Sequence, residues 1–253
     1  MLAAAFFLAA KLQVVSLDYC ADQYVLRYVD RADILALSAG SRGDYAYGRK
    51  EAAHLPQMPA DAEALLVAGP THVVRSYGGD AALLASLKER GVVVVNIGWP
   101  SDLGAVADTE LRVATALVAE EKGRAVAQQL RQDASGPAAP SRKVLYLTPS
   151  GVTAGPGTLV DAVIRAAGHQ NFETRPGWHD LDLERLTTER PELLLRAFFD
   201  SEQSFEGSFS TYRHPVARRL LKDIPSVDVP GAVLSCAAAP VLEAVRALEE
   251  ASP

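Results

Sequence analysis

Cysteine, methionine and tryptophan are scarce in this chain of 253 residues, which contains two of each. The two cysteines, Cys20 and Cys236, are too far apart to form the C-x-x-C pair of a zinc ribbon or a thioredoxin-like site. Basic residues are also in the minority, because 25 lysines and arginines face 31 aspartates and glutamates and leave a formal net charge of −6. This balance offers no basic stripe that would neutralise phosphates, and it argues against a nucleic-acid-binding role.

Long apolar runs are missing as well. The opening MLAAAFFLAA has about the length of a signal-peptide core and falls short of the ~20 apolar residues that span a bilayer. We interpret residues 1–12 as the remnant of a signal peptide and expect an exported protein. No basic residue precedes the run, so a buried first strand is the alternative interpretation.

Strands and helices alternate along the chain. The apolar segments that predict strands are VVSL (14–17), ILALS (34–38), THVVRS (71–76), VVVVNIG (92–98), KVLYLT (143–148), ELLLRAFF (192–199) and SVDVP (226–230). Segments with helical periodicity separate them, among them 20–30, 80–91, 158–168, 211–223 and 239–251. This alternation predicts parallel sheets that are covered by helices on both faces.

Residues 101–135 lack proline and place apolar residues at near-helical intervals after Ser101, a candidate N-cap. We predict one continuous helix here, about 50 Å long, which exceeds the width of a small lobe. The segment GPAAPSR (136–142) ends it. The predicted organisation is therefore an N-terminal lobe at 13–100, a bridging helix at 101–135 and a C-terminal lobe at 136–253.

A short pattern occurs once in each half of the chain. The segments DAEALLVAGPTHVV (61–74) and DLERLTTERPELLL (182–195) match at Asp61 and Asp182, Glu63 and Glu184, Leu65 and Leu186, and Pro70 and Pro191. Each match describes a short acidic helix, a proline and an apolar strand. The repeat predicts two similar α/β lobes with a ligand cleft between the carboxyl ends of their sheets.

This order of elements, with VVSLDYCADQ near the start, His214-Pro215 and the final PVLEAV, resembles the helix-bridged (class III) periplasmic substrate-binding proteins of ABC importers. The resemblance runs from about residue 13 to the end of the chain. It implies two Rossmann-like lobes with mainly parallel sheets joined by one long bridging helix. It further implies a monomeric, non-enzymatic receptor in the periplasm of a Gram-negative envelope that delivers cobalamin, haem or a ferric siderophore to a permease dimer, with no intrinsic cofactor.

Two acidic residues gain a role from the resemblance. Members of this family dock through one glutamate on each lobe into arginine pockets of the permease, and the matching positions are Glu63 and Glu184. Such pairs mainly set orientation and encounter rate. The alternative is local: an aspartate N-cap and a glutamate in the first turn stabilise a helix without any partner.

The loops that follow the strands supply the predicted ligand-binding residues. They are Tyr19, Cys20, Arg42, Tyr45, Tyr77, Trp99, Trp178, Phe198, Tyr212 and Cys236. Trp178 is the strongest candidate because it stands where B12-binding relatives carry a tryptophan that stacks on the ligand. The equivalent place in the first lobe holds Gln57, which is not aromatic. Arg42 is a candidate partner for an anionic ligand. The family's charged contacts near the last strand are absent from SCAAAP, which argues against vitamin B12 itself.

The cysteines leave three interpretations open: a disulfide that ties the lobes, soft sulfur ligands for a metal-containing guest, or two inert buried thiols. The five histidines do not follow metal-site spacing, which disfavours the alternative of a zinc or manganese receptor. A two-lobed α/β enzyme is a further alternative. It lacks support because no G-x-S-x-G elbow occurs and isolated acids such as Asp18, Asp22 and Asp180 have no catalytic partner in the sequence.

Overall fold

The structure, a computed structural model, describes residues 11–134, 142–148, 150–198 and 214–251. The opening run 1–10 and the predicted ligand-binding residue Tyr212 lie outside these ranges. Among the described residues, no helix combines the length and apolar character needed to cross a membrane.

The first lobe is a five-stranded parallel sheet in the order β3-β2-β1-β4-β5. Its elements are β1 (Val14–Ser16), α1 (Tyr19–Tyr28), β2 (Ile34–Ser38), β3 (Gln57–Met58), α2 (Ala62–Ala68), β4 (His72–Arg75), α3 (Ala81–Glu89) and β5 (Val93–Asn96). Neighbouring residues of the central strand enter different apolar clusters, with Val14 on one face and Val15 on the other. This alternation is the period-two geometry of a strand, and it explains why the strand reads as continuously apolar.

The segment between the lobes is a helical hairpin. It consists of α4 (Leu103–Ala116) and α5 (Glu120–Asp133), so the prediction of one continuous helix over 101–135 was wrong. Val118 adopts φ 59°, and its N–H donates to the Thr115 carbonyl at 3.2 Å while the N–H of Ala119 donates to Ala114 at 2.8 Å. This hydrogen-bond pair is the Schellman arrangement that ends helices, usually with glycine at the left-handed position. A valine there gives no signal in the sequence.

The hairpin contacts both lobes. The start of α4 packs through Leu103 and Val106 into the core of the second lobe, while its end packs through Val113 and Leu117 into the first. The second helix then returns, and its Leu130 is buried with the second-lobe core. Two antiparallel helices therefore connect the lobes.

The second lobe contains a four-stranded parallel sheet in the order β11-β10-β6-β8 and a separate antiparallel pair, β7 with β9. Its elements are β6 (Lys143–Leu147), β7 (Val152–Ala154), α6 (Leu159–Ala166), β8 (Gln170–Asn171), β9 (Trp178–Asp180), α7 (Leu183–Thr188), β10 (Leu193–Phe198), α8 (Pro215–Leu221), β11 (Ser226–Pro230), α9 (Gly231–Leu234) and α10 (Val241–Glu250). Two mainly parallel sheet groups confirm the predicted α/β fold class.

A buried carboxylate joins the lobes beside the hairpin. Glu110 of α4 is fully buried and accepts hydrogen bonds from Tyr28 Oη at 2.6 Å, from Arg27 Nη1 at 3.1 Å and from the backbone N–H of Ala239 at 2.7 Å. The first two donors belong to α1, and the third precedes α10. Since a buried charge requires several partners, this junction depends on both lobes being in place.

Candidate functional site

A second buried carboxylate shapes the edge of the first lobe. Asp18, 3% exposed, caps α1 by accepting the N–H of Ala21 at 2.9 Å through one oxygen. Its other oxygen accepts three consecutive N–H groups, from Ser76 at 2.7 Å, Tyr77 at 3.0 Å and Gly78 at 2.9 Å. The carboxylate thus organises the loop after β4. This role of Asp18 was not predicted from the sequence, in which it stands as an isolated acid.

Four aromatic rings line the same edge, and we call them the aromatic ledge: Tyr45, Tyr19, Tyr77 and Trp99. Their ring centroids are 4.5 Å apart for Tyr45 and Tyr19, 5.8 Å for Tyr19 and Tyr77, and 6.2 Å for Tyr77 and Trp99. The last pair is nearly parallel, at 15°, and Trp99 is 74% exposed. All four were predicted from the sequence as ligand-binding residues, and the structure brings them together in one row.

Two phenols of the ledge, those of Tyr19 and Tyr77, stay protonated at neutral pH. Loss of hydration raises the pKa of Tyr19, and the same effect raises the pKa of Tyr77, with a further rise from the charges of Tyr19 and Asp18. At Tyr19 and Tyr77 the ledge therefore offers ring faces and neutral hydroxyl groups to a ligand.

The second lobe presents Trp178 on the opposite wall. This residue begins β9 and pairs with Ala154 of β7. Its ring meets Tyr146 edge to face, with centroids 6.0 Å apart at 72°, yet 56% of the side chain remains exposed. The short antiparallel pair and the ring of Tyr146 position this tryptophan, and neither role was predicted from the sequence.

A cavity of about 360 Å³ lies between the two walls. Trp99 and Pro100 line it from the first lobe, and Trp178 lines it from the second. Its volume falls within the usual range of small-molecule sites, and the tryptophans are large apolar surfaces left open to solvent. Of the predicted ligand-binding residues, Cys20, Trp99, Trp178 and Cys236 line this cavity.

The cysteines form a disulfide across the lobes. Cys20 at the start of α1 is bonded to Cys236 in the loop before α10, with their Cα atoms 5.4 Å apart. Of the three interpretations of these cysteines, the structure bears out the first. Nearby, Tyr24 Oη donates to the Ala237 carbonyl at 2.6 Å, and Ser235 Oγ donates to the Tyr45 carbonyl at 2.9 Å. Covalent and hydrogen bonds thus join the lobes beside the cavity.

Two further predicted residues lie away from this cavity. Arg42 donates to the carbonyls of Leu55 at 2.8 Å and Ala52 at 3.5 Å, so its guanidinium group braces the loop between β2 and β3. Phe198, the last residue of β10, borders a separate interlobe cavity of about 280 Å³ together with Tyr47. Contact of Arg42 and Phe198 with a ligand stays a prediction.

The repeated acidic segments adopt matching geometry. Asp61 caps α2 by accepting the N–H of Ala64 at 2.9 Å, and Asp182 caps α7 by accepting the N–H of Arg185 at 2.9 Å. Glu63 and Glu184 lie exposed in the first turns of these helices. Within the described part of the chain, neither carboxylate enters an ion pair. Capping accounts for the aspartates, whereas permease docking by the glutamates stays a prediction.

Metal ligands do not converge in the residues that the structure describes, where no three histidine, cysteine, aspartate or glutamate side chains form a group able to hold an ion. His169 Nε2 lies 3.2 Å from the Leu248 carbonyl and is buried. Burial also lowers the pKa of His72. Both positions suit packing roles, so nothing here favours a receptor for bare zinc or manganese ions.

Comparison with known proteins gives matches at the level of structure. No protein-family model matches the chain, and no curated protein matches it either. The haem-binding protein HutB of Vibrio cholerae superposes with a TM-score of 0.74 at 20% identity, covering 96% of this chain and 100% of that one. The haem-binding protein RhuT of Roseiflexus gives 0.69 at 20% identity, covering 96% and 100%.

The vitamin B12-binding protein BtuF of Vibrio cholerae gives a TM-score of 0.64 at 16% identity, covering 94% of this chain and 95% of that one. The chain has the two-lobed fold of periplasmic binding proteins. Each superposition extends over nearly the full length of both chains, so the likeness includes both sheets and the segment between them.

Proposed function

We propose that this protein is an exported solute receptor that binds a ring-shaped or siderophore-type metal complex and delivers it to the permease of an ABC importer. The observation that carries the proposal is the interlobe cavity with one exposed tryptophan on each wall, Trp99 and Trp178. Flat macrocycles are held mainly by dispersion against aromatic faces, with a few polar groups that fix their orientation. The ledge extends this surface along the first lobe.

The structural neighbours support this class of ligand, since they include haem-binding and vitamin B12-binding proteins. The cavity lining supports a receptor over an enzyme. Among the described residues that line the cavity, the one phenol is that of Tyr24, which donates to a backbone carbonyl. The buried acid Asp22, considered above as a general base, accepts hydrogen bonds from Ser16 and Ser38 and does not line the cavity.

The remaining parts of the proposal follow from the same family resemblance. The receptor acts as a monomer in the periplasm of a Gram-negative envelope, its lobes span about residues 13–100 and 136–253, and no intrinsic cofactor is required. Glu63 and Glu184 dock on the two halves of the permease dimer. Their exposure at the start of equivalent helices supports this role, because a carboxylate there is solvated and available to arginine.

Titration of the purified protein with cyanocobalamin, ferric protoporphyrin IX and a ferric trihydroxamate complex tests the proposal. At least one complex should raise the melting temperature and bind with saturable absorbance changes. Replacement of Trp99 or Trp178 by leucine should weaken that binding about fivefold, since an aromatic face contributes about 1 kcal/mol beyond its buried area. The control Val67→Ser, on an exposed helix face, should leave affinity unchanged. No response to any complex, or tryptophan variants that bind normally, would contradict the proposal.

A further inference from the structure

The interlobe cavity is lined by uncharged residues throughout the described chain. Serine, threonine, glycine, the disulfide and apolar or aromatic side chains form its surface, and no lysine, arginine, histidine, aspartate or glutamate of the described residues is among them. This composition is informative because many iron complexes are anionic. Complexes with catecholate or carboxylate groups require counter-charges when those groups are buried.

Three arginines in the segments next to the cavity are already engaged. Arg75 Nε donates to the Gly78 carbonyl at 2.6 Å, and Arg112 donates to the carbonyls of Asn96 at 2.6 Å and Ile97 at 3.1 Å. Arg165 pairs with Asp161 at 3.7 Å. The first two side chains thus hold the loops that carry Tyr77 and Trp99, and release from these carbonyls would disturb the walls themselves.

The hydroxyl groups of Ser235 and Thr158 in the lining are also committed as donors. Ser235 Oγ lies 2.9 Å from the carbonyl oxygens of both Tyr45 and Ala232, which compete for its single proton, and Thr158 Oγ1 donates to the Gly155 carbonyl at 2.8 Å. A hydroxyl whose proton is already used can only accept from a ligand. Its remaining lone pairs repel an anion and suit the N–H groups of amides.

We propose that this cleft selects an electroneutral metal complex, one whose buried surface carries no net charge and offers hydrogen-bond donors. This inference rests on the proposed function and narrows it. Neutral ferric trihydroxamates and corrinoids with amide side chains have the required chemistry. A tricatecholate or dicarboxylate complex does not, because the described residues of the cavity lining supply no counter-charge for its anionic groups.

Two matched pairs of complexes test the inference. The first is a neutral ferric trihydroxamate against a trianionic ferric tricatecholate, and the second is zinc(II) protoporphyrin IX dimethyl ester, which is neutral, against the free dicarboxylic acid. In each pair that binds, the neutral member should bind at least about tenfold more tightly, since an unpaired buried charge is costly. Its Kd should change less than about twofold between low salt and 0.5 M NaCl, because no ion pair is screened.

A charge introduced at the exposed rim provides the complementary test. Ser101→Lys places a cation at the cavity lining and should tighten binding of the anionic members by about fivefold or more at low salt. The matched control Ser101→Gln has similar length without charge and should leave the preference unchanged.

The outcomes separate this inference from the proposed function. Anionic members that bind as tightly as the neutral ones, with affinity that falls as salt rises, would overturn the inference and leave the receptor function standing. If none of the four complexes, nor cyanocobalamin, binds to the protein, both are overturned. A neutral preference that Ser101→Lys reduces and Ser101→Gln preserves would support both.

Discussion

Removal of the interlobe disulfide should destabilise the protein by about 5 kcal/mol. Cys20 and Cys236 are 216 positions apart, and the chain-entropy relation for a closed loop of that length gives about 5 kcal/mol at 25 °C. The bond acts mainly on the unfolded chain, which it prevents from expanding. Replacement of both residues by alanine is preferable to serine, because each position is only 5% exposed and a hydroxyl group would be buried there.

Urea unfolding, followed by the fluorescence of Trp99 and Trp178, measures this change. For a protein of this size the slope is about 3 kcal/mol per molar urea, so the midpoint should fall by about 1.5 to 2 M. Wild-type protein treated with a phosphine reductant should approach the same midpoint, and the reductant should not change the double variant. A loss of less than about 1 kcal/mol would show that the unfolded chain is not constrained by this bond, and would refute the reasoning.

Three further predictions follow from single features. Asp18→Asn should lower the unfolding free energy by about 2 to 4 kcal/mol, because an amide cannot accept all four N–H groups. It should also broaden the NMR signals of Tyr77, and unchanged Tyr77 signals would contradict this role of Asp18. Val118→Gly should raise stability by about 1 kcal/mol, measured by the same urea assay, since glycine adopts φ 59° without strain; a loss would show that the valine side chain stabilises the turn. Glu63→Ala combined with Glu184→Ala should abolish ligand uptake by cells and leave the Kd of the purified receptor unchanged, and surviving uptake would exclude the docking role.

Local signals in the sequence predicted the regular elements well. The bounds of β2 and β11 agree with the predicted segments 34–38 and 226–230 at both ends. Aspartate N-caps also marked the starts of α2 and α7, since a short acceptor side chain satisfies the free N–H groups of the first turn. These features depend on neighbours in the chain, so the sequence contains enough information to place them.

Features that depend on distant contacts were harder to predict. Asp18 organises residues 58 to 60 positions away, and nothing near it in the sequence indicates three backbone donors. The end of α4 was not predicted for a local reason. Val118 adopts a backbone conformation that valine rarely takes, so the residue type does not indicate that a helix ends there. The site residues were chosen from the loops that follow strands. This rule found the ledge and both tryptophans, but it could not find Tyr146, which is buried beneath Trp178.

The disulfide between Cys20 and Cys236 closes the backbone between them into a covalent loop that includes both walls of the cleft. A protease that cuts at the turn of the hairpin, where Val118 is 84% exposed, would therefore produce two fragments that remain attached through sulfur. The cut receptor would migrate as one species until a reductant separates it. The disulfide therefore keeps the two lobes covalently attached after a backbone cut that would leave no covalent bond between the lobes of a receptor without it.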